Sequence, residues 1–213
     1  IKKNFLYTNQ LWEGRPEVLK SIMDNFDGPI NVLEIGVWFG EGSTQILLDY
    51  LPDNSILHLV DYWDNYISDH DLKDGLISTK LMNSVSKHAF SNVLNKVSLN
   101  SRLKINIHKG KSSDQLPFFR DKSFDLIYID GSHYYSDVKQ DVVNAKRLIK
   151  KNGIICGDDL EIFPNDEIYT YSKSHLTSDV VTFNGHSYHP GVLMAIYEEF
   201  KNIEMKNGIW WVK

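Results

Sequence analysis

Residues 31–44 read NVLEIGVWFGEGST, and this stretch decides the fold. Its apolar start lies between a Gly-Pro pair and Gly36, which is the pattern of a short buried strand. Ser43 and Thr44 then open a segment with apolar residues at helical spacing, after a turn rich in glycine: Gly36, Gly40, Gly42. A strand, a glycine turn and a helix together present backbone N–H groups and a positive helix end to a ligand.

The spacing of the acidic residue and the glycines indicates which ligand. Glu34 precedes Gly36 by two positions, which gives E-x-G-x-x-x-G. A dinucleotide fingerprint needs G-x-G-x-x-G and a P-loop ends in Gly-Lys-Ser/Thr, so both fit poorly. The stretch resembles motif I of class I S-adenosylmethionine (SAM) methyltransferases; an ordinary glycine turn is the plainer alternative. The resemblance implies that the glycine turn contacts the methionine part of SAM and that the early acidic residue supports the turn. The predicted cofactor residues here are Glu34, Gly36, Gly40, Ser43, Thr44.

Composition narrows the class of protein. The chain has 213 residues, 42% of them hydrophobic and 24% charged, which suits one soluble α/β domain. Its net charge is -5 and it has no Lys/Arg-rich block, so a dedicated nucleic-acid binder is disfavoured. No apolar run approaches the ~18 residues of a membrane span, and we expect a cytoplasmic protein without a membrane partner. The single cysteine, Cys156, lies in an apolar run and is expected to be a core thiol.

Two further strand ends supply candidate cofactor residues. Residues 55–62 form a predicted strand that ends near Asp61, where a carboxylate can accept hydrogen bonds from ribose hydroxyls. Residues 103–108 form another strand, followed by Gly110 and Ser112. These two match a G-x-S segment that lies near the adenine in the SAM methyltransferases, although Ser112 is equally suited to cap a helix.

The second informative stretch covers residues 124–159. An apolar strand, FDLIYI, runs into D-G-S-H-Y-Y at 130–135, and an amphipathic helix follows. A K-x-x-G turn leads into a second apolar strand, which ends in the pair Asp158-Asp159. This order resembles the metal-dependent sugar O-methyltransferases of the macrocin and mycinamicin type and their cephalosporin-hydroxylase-like relatives. The resemblance covers residues 31–159 and resumes at 190–200 and 210–212; it departs where the family usually has K-P-G-G.

Three acidic side chains of this stretch follow neighbouring strands: Asp130, Asp158, Asp159. Because the carboxyl ends of adjacent parallel strands meet at one edge of a sheet, we expect these carboxylates to lie close together. Clustered carboxylates repel one another unless one is protonated or a cation joins them, and an all-oxygen set suits Mg²⁺. We therefore predict a divalent metal bound by these three residues. A turn with a capping role is the plainer alternative for the Asp158-Asp159 pair.

His133 is the candidate general base. Unperturbed imidazole titrates near ~6.5, which suits it to take a proton from a metal-bound hydroxyl. The carboxylates around it favour this role over that of a simple helix-start residue. Asp130 is assigned a part in catalysis and in SAM binding as well as in metal binding.

The whole pattern predicts a Rossmann-like, doubly wound α/β fold with a seven-stranded, mostly parallel sheet. Residues 1–213 form one domain, with a helical N-terminal segment at 1–28 and a terminal antiparallel hairpin across Asn207-Gly208. Residues 63–78 and 160–189 are longer than usual connections and are candidate substrate-recognition insertions; the second is expected to be irregular. In the N-terminal segment, Arg15 is a candidate lid residue or a solvated arginine.

The predicted function is SAM-dependent, metal-assisted O-methylation of a hydroxyl on a sugar or glycosylated small molecule. Two alternatives stay open: a catechol or phenol O-methyltransferase, and a non-catalytic SAM- or nucleotide-binding domain of a larger protein. Expected partners are a small-molecule or glycan acceptor and a second copy of the chain in a homo-oligomer.

Overall fold

The computed structural model describes residues 14–64 and 79–213, in which helices and strands alternate as in a parallel α/β sheet. The helices are α1 (Arg15–Met23), α2 (Ser43–Tyr50), α3 (Thr79–Leu99), α4 (Ser112–Gln115), α5 (Tyr135–Leu148), α6 (Asp166–Lys173) and α7 (Pro190–Glu199). The strands are β1 (Asn31–Ile35), β2 (Ile56–Asp61), β3 (Lys104–Lys109), β4 (Phe124–Ile129), β5 (Ile149–Gly157), β6 (Val181–Phe183), β7 (His186–Tyr188), β8 (Glu204–Lys206) and β9 (Ile209–Val212). Most of the predicted 63–78 insertion lies outside the described residues.

Seven strands form one sheet in the order β3-β2-β1-β4-β5-β9-β8. The first five strands in this order, from β3 through β2, β1 and β4 to β5, pair in parallel. Strand β9 is antiparallel to both β5 and β8. The predicted Rossmann-like sheet with its terminal hairpin is confirmed. The strand order reverses between β1 and β4, and ligands of such sheets bind at the carboxyl ends of the strands at this point.

Both faces of the sheet are covered, which explains the apolar runs in the central strands. Val32 and Leu33 of β1 point to opposite faces and are both fully buried, each in a separate hydrophobic cluster. One cluster includes apolar residues of α1, α2 and α3, and the other includes residues of α5 and α7. None of the described helices has the length and apolar character to span a bilayer.

The 160–189 segment is more regular than expected. It contains α6, whose start is capped by the Asn165 side chain, and the antiparallel pair β6 and β7. Asn184 and Gly185 both have positive φ, 51° and 80°, as a tight hairpin turn requires. The hydroxyls of Ser172 and Tyr188 lie 2.9 Å apart and tie the helix to the hairpin. The prediction of an irregular segment was wrong, because it overlooked this second Asn-Gly turn.

The K-x-x-G segment was also misassigned. It lies within β5, which begins at Ile149, and the pairing of β4 with β5 shifts register between Phe124 and Leu126. The Asn207-Gly208 turn is confirmed, with φ values of 54° and 84°.

We expect Gly36→Ala to destabilise the fold strongly. Gly36 has φ 86°, and a Cβ atom there would lie 1.8 Å from the carbonyl oxygen of Asp130. Left-handed backbone in a residue with a side chain, together with this clash, should lower the free energy of unfolding by roughly 3 kcal/mol. Urea denaturation measures the change. Gly28→Ala is the matched control, since nothing lies within 4 Å of its Cβ position; equal stabilities of the two variants would contradict the prediction.

Candidate functional site

The candidate site lies at the carboxyl ends of β1, β4 and β5, which are joined by backbone hydrogen bonds. The Asp130 N–H donates to the Ile35 carbonyl at 2.7 Å, and the Asp158 N–H donates to the Ile129 carbonyl at 3.1 Å. The chain after β1 therefore lies against the chain after β4, which in turn lies beside the end of β5. The glycine turn and the acidic residues predicted from sequence share this edge.

Glu34, near the end of β1, supports the glycine turn by a hydrogen bond to the start of α2. Its carboxyl group is fully buried and accepts a hydrogen bond of 2.6 Å from the Ser43 hydroxyl. Burial raises the pKa of Glu34 to about 8, although the hydroxyls of Ser43 and Thr44 oppose the shift. Glu34 is therefore neutral near pH 7 and joins β1 to the start of α2. This contact agrees with the supporting role implied for it.

Asp61 holds the turn from the side. One carboxylate oxygen accepts the N–H groups of Val37 and Trp38, both at 2.8 Å, and the other accepts that of Trp63 at 2.8 Å. A carboxylate has about four acceptor positions, so roughly one is left for a ribose hydroxyl. Asp61 is thus first a residue that shapes the loop, and its contact with ribose stays a prediction.

The other predicted cofactor residues lie around the same edge. Gly40 has φ 66° and its N–H donates to the Val37 carbonyl at 2.8 Å. Gly110 has φ 154° and its N–H donates to the Asp61 carbonyl at 2.9 Å, while Ser112 begins α4. Their roles in binding SAM stay predictions.

Arg15 supplies positive charge to the Asp158-Asp159 pair. Its Nη1 lies 2.7 Å from Asp158 Oδ1 and 3.4 Å from Asp159 Oδ1, and its Nε donates to the Asn207 carbonyl at 2.9 Å. The side chain is only 11% exposed, so it is a buried ion-pair partner and not a solvated arginine. Burial and the charge of Asp159 still raise the pKa of Asp158 to about 7, against the effect of Arg15.

His133 lies between two carboxylates. Its Nε2 is 3.0 Å from Asp159 Oδ2, and its Nδ1 is 2.7 Å from Asp179 Oδ1. Burial lowers the pKa of His133, but the hydrogen bonds and charges of the two aspartates outweigh it and raise the pKa well above the usual value. For Asp159, burial is likewise outweighed, chiefly by His133, and its pKa falls to about 2. The pair is therefore an imidazolium and a carboxylate at neutral pH.

Asp130 is a half-buried acid that directly follows β4. Burial and the negative charges of Asp158 and Asp159 raise its pKa well above the usual value, more than His133 lowers it. The catalytic part assigned to Asp130 stays a prediction.

Metal-binding capacity centres on Asp159. Among residues 14–64 and 79–213, three metal-ligating side chains form a compact group: His133, Asp159 and His189. Their potential ligand atoms all lie within 4.8 Å of one another. Asp130 and Asp158 do not belong to this group, and the predicted three-aspartate set stays a prediction. The sequence predicted Arg15 as a lid residue or solvated arginine and His189 as a substrate contact or surface histidine, not as partners of these acids, and it assigned no role to Asp179. No local motif marks these three, because long stretches of chain separate them from the residues they contact.

We expect Glu34→Gln to change the pH dependence of stability. Between pH 4.5 and about 8 the folded chain holds a proton on Glu34 that the unfolded chain has lost, so stability falls as pH rises. Glutamine has the shape of the neutral acid but does not titrate, so the decrease in stability with pH that Glu34 causes is absent from the variant. Relative to the variant, the wild-type chain should lose on the order of a few kcal/mol of unfolding free energy from pH 5 to pH 8. Denaturation at both pH values, with exposed Glu17→Gln as control, measures this; parallel curves would contradict it.

Solved structures with this fold include several methyltransferases. Cofactor-bound Rv0187 from MTB is 15% identical, with 94% of this chain and 79% of that one covered and a TM-score of 0.56. A putative caffeoyl-CoA O-methyltransferase from Staphylococcus aureus is 16% identical, with coverages of 92% and 80% and a TM-score of 0.53. The O-methyltransferase NovP is 18% identical, with coverages of 82% and 77% and a TM-score of 0.52. At these identities the likeness establishes the fold.

The family follows from the sequence itself. No curated protein sequence matches the chain. The family model described as a methyltransferase domain matches residues 33–160, which is more than half of the chain. The matched segment runs from β1 to the residue after the acidic pair and contains Glu34, Asp61, Asp130 and His133. The chain therefore belongs to the methyltransferase-domain family and is an enzyme that takes its methyl group from SAM.

Proposed function

We propose that the chain is an O-methyltransferase that methylates a hydroxyl of a sugar or glycosylated small molecule with the help of a divalent ion. One observation carries the proposal: the imidazole of His133 lies three residues after Asp130, whose backbone packs against the glycine turn. A hydroxyl is a poor nucleophile until a base takes its proton. The contact between these two loops supports the proposal that His133 acts as the base near the expected methyl donor.

The residues present fit SAM. The first turn of α2 contains no acidic residue and its Gly42 N-cap provides no side-chain hydrogen bond, which leaves N–H groups for the carboxylate of the cofactor. Asp61 keeps room for one hydroxyl while it holds the loop. SAM supplies a methyl group on a sulfonium centre, and the chain has to orient it and exclude water.

The residues present also fit a divalent ion, with one qualification about Asp158. Asp130 and Asp159 are oxygen donors of the kind that Mg²⁺ prefers. Asp158 is already paired with Arg15, which makes it the weakest of the three predicted ligands. Such an ion supplies Lewis acidity, lowering the pKa of an acceptor hydroxyl that binds it. Vicinal hydroxyls of a sugar are suited to this, and this chemistry supports the proposed acceptor class.

The proton on His133 decides when the base can act. In the described arrangement both ring nitrogens are bonded to carboxylates, and the imidazole is protonated at neutral pH. His133 can take a proton from a hydroxyl only after it has lost its own and its Nε2 has left Asp159. Asp179 meanwhile keeps hold of Nδ1 and fixes the ring. Methyl transfer should therefore quicken as pH rises.

The acceptor class and the ion are tested by an acceptor screen with labelled SAM. The panel should contain nucleotide sugars, glycosides and catechols, each with Mg²⁺ and with an excess of EDTA. We expect transfer to a sugar hydroxyl that EDTA suppresses and added Mg²⁺ restores. Methyl transfer to catechols but not to sugars would show that the acceptor is a phenol and contradict the proposed sugar acceptor. Full activity in EDTA would exclude the metal, and calorimetry with SAM shows separately whether the cofactor binds.

We expect Asp179→Asn to move the pH–rate profile to lower pH. The Asp179 charge raises the pKa of His133, so its removal lowers the pH at which the base becomes neutral. The midpoint of the rising limb of kcat is the measurement, because loss of orientation also reduces the plateau. Asp24→Asn, an exposed change at the end of α1, is the control, and an unmoved midpoint in Asp179→Asn would refute the assignment.

His133→Ala should slow turnover about a hundredfold or more without weakening SAM binding.

A further inference from the structure

Two imidazoles and one carboxylate converge from three separate segments. His133 comes from the loop between β4 and α5, Asp159 from the end of β5, and His189 from the residue before α7. Their ligand atoms all lie within 4.8 Å of one another, and the two imidazole rings have centroids 4.3 Å apart. Three donors at these distances are close enough to share one ion after small side-chain movements.

Each imidazole is bound on its outer side by a carboxylate. His133 Nδ1 lies 2.7 Å from Asp179 Oδ1, and His189 Nδ1 lies 2.7 Å from Glu161 Oε1. Glu161 also accepts the backbone N–H of His189 through Oε2 at 3.2 Å. In the neutral tautomer whose Nδ1–H donates a hydrogen bond to the carboxylate, the free lone pair of the ring is on Nε2 and can bind an ion. Carboxylate, imidazole and metal occur in this order in protein metal sites, where the carboxylate fixes the tautomer and orients the ring.

The backbone around the three donors is closely packed. Gly191 lies in the first turn of α7, and a Cβ atom there would be 2.2 Å from the carbonyl oxygen of His133 and 2.5 Å from the Tyr135 nitrogen. Helix α7 therefore starts directly against the loop that carries His133, which fixes His189 beside it. Asp159 adopts left-handed backbone with φ 63°, an uncommon conformation for a residue other than glycine. Such conformations persist where the surrounding structure enforces them.

We propose that His133, His189 and Asp159 form a site for a borderline divalent transition metal such as Zn²⁺, Co²⁺ or Ni²⁺. Imidazole nitrogen suits these ions, whereas Mg²⁺ takes oxygen donors, so this set differs in chemistry from the three aspartates. Arg15 approaches Asp159 at 3.4 Å, but its closer partner is Asp158 at 2.7 Å, so Asp159 keeps an oxygen for the ion.

Occupation of this site has a consequence for the enzyme. The ion takes the Nε2 lone pair of His133, which is the position that would otherwise accept the proton of the acceptor hydroxyl. A transition metal therefore inhibits methyl transfer, whereas Mg²⁺ does not. This consequence rests on the proposed function, but binding of the ion does not, so the two are separable by experiment.

The test is a titration of the full chain, free of metal, with Co²⁺ and with Zn²⁺. Calorimetry should give one equivalent, and the absorption bands of Co²⁺ should report nitrogen ligands in a site of low coordination number. His189→Ala should weaken binding by at least about tenfold, and Glu161→Gln, which alters only the outer partner, should weaken it by a smaller factor. His186→Ala removes an exposed imidazole of β7 and should leave the affinity unchanged.

The outcomes separate the alternatives. Unchanged Co²⁺ affinity in His189→Ala, with a folded protein by circular dichroism, would overturn the proposal, as would a wild-type chain that binds no ion. Loss of binding in Asp158→Asn but not in His189→Ala would place the ion on the aspartates and overturn it too. If His189→Ala does not fold, Glu161→Gln carries the comparison. Co²⁺ binding without any SAM binding would count against the proposed function and leave the metal site standing.

Discussion

The close approach of Gly36 to the backbone of Asp130 is the contact on which the site depends. The carbonyl oxygen of Asp130 occupies the space where any other residue at position 36 would place its Cβ atom. The loops after β1 and after β4 can therefore lie against each other at the point where the strand order reverses. Without this contact the glycine turn and the loop that carries His133 would be held apart.

The charges at this edge are balanced mainly within the chain. Asp158 is compensated by Arg15 and Asp159 by His133, while Glu34 is neutral because burial keeps it protonated. Removing one partner of a buried pair leaves a charge that water cannot reach, which costs more than the pair contributes. The repulsion that suggested a metal is thus partly relieved by an arginine and a histidine.

Most of the fold could be predicted from sequence because its signals are local. The apolar strands, the glycine turn and the Asn207-Gly208 hairpin each depend on a few neighbouring residues, and the sheet follows from their order. The segment at 160–189 was harder, since its helix is short and β6 and β7 have three residues each, of which only Val181 and Tyr188 are buried. At the site, sequence motifs located His133 and the three aspartates. They could not locate Arg15, Asp179 or His189, whose contacts arise only when distant segments fold together.

One consequence follows from the origin of the residues around His133. Glu161, Asp179 and His189 all belong to, or directly adjoin, the segment inserted between β5 and α7. The loops that follow the strands carry His133 and Asp159, whereas Asp179, the second carboxylate that raises the pKa of His133, comes from the segment between β5 and α7. A substitution at position 179 would therefore act on the charge of a histidine that belongs to another part of the chain, without touching the sheet itself.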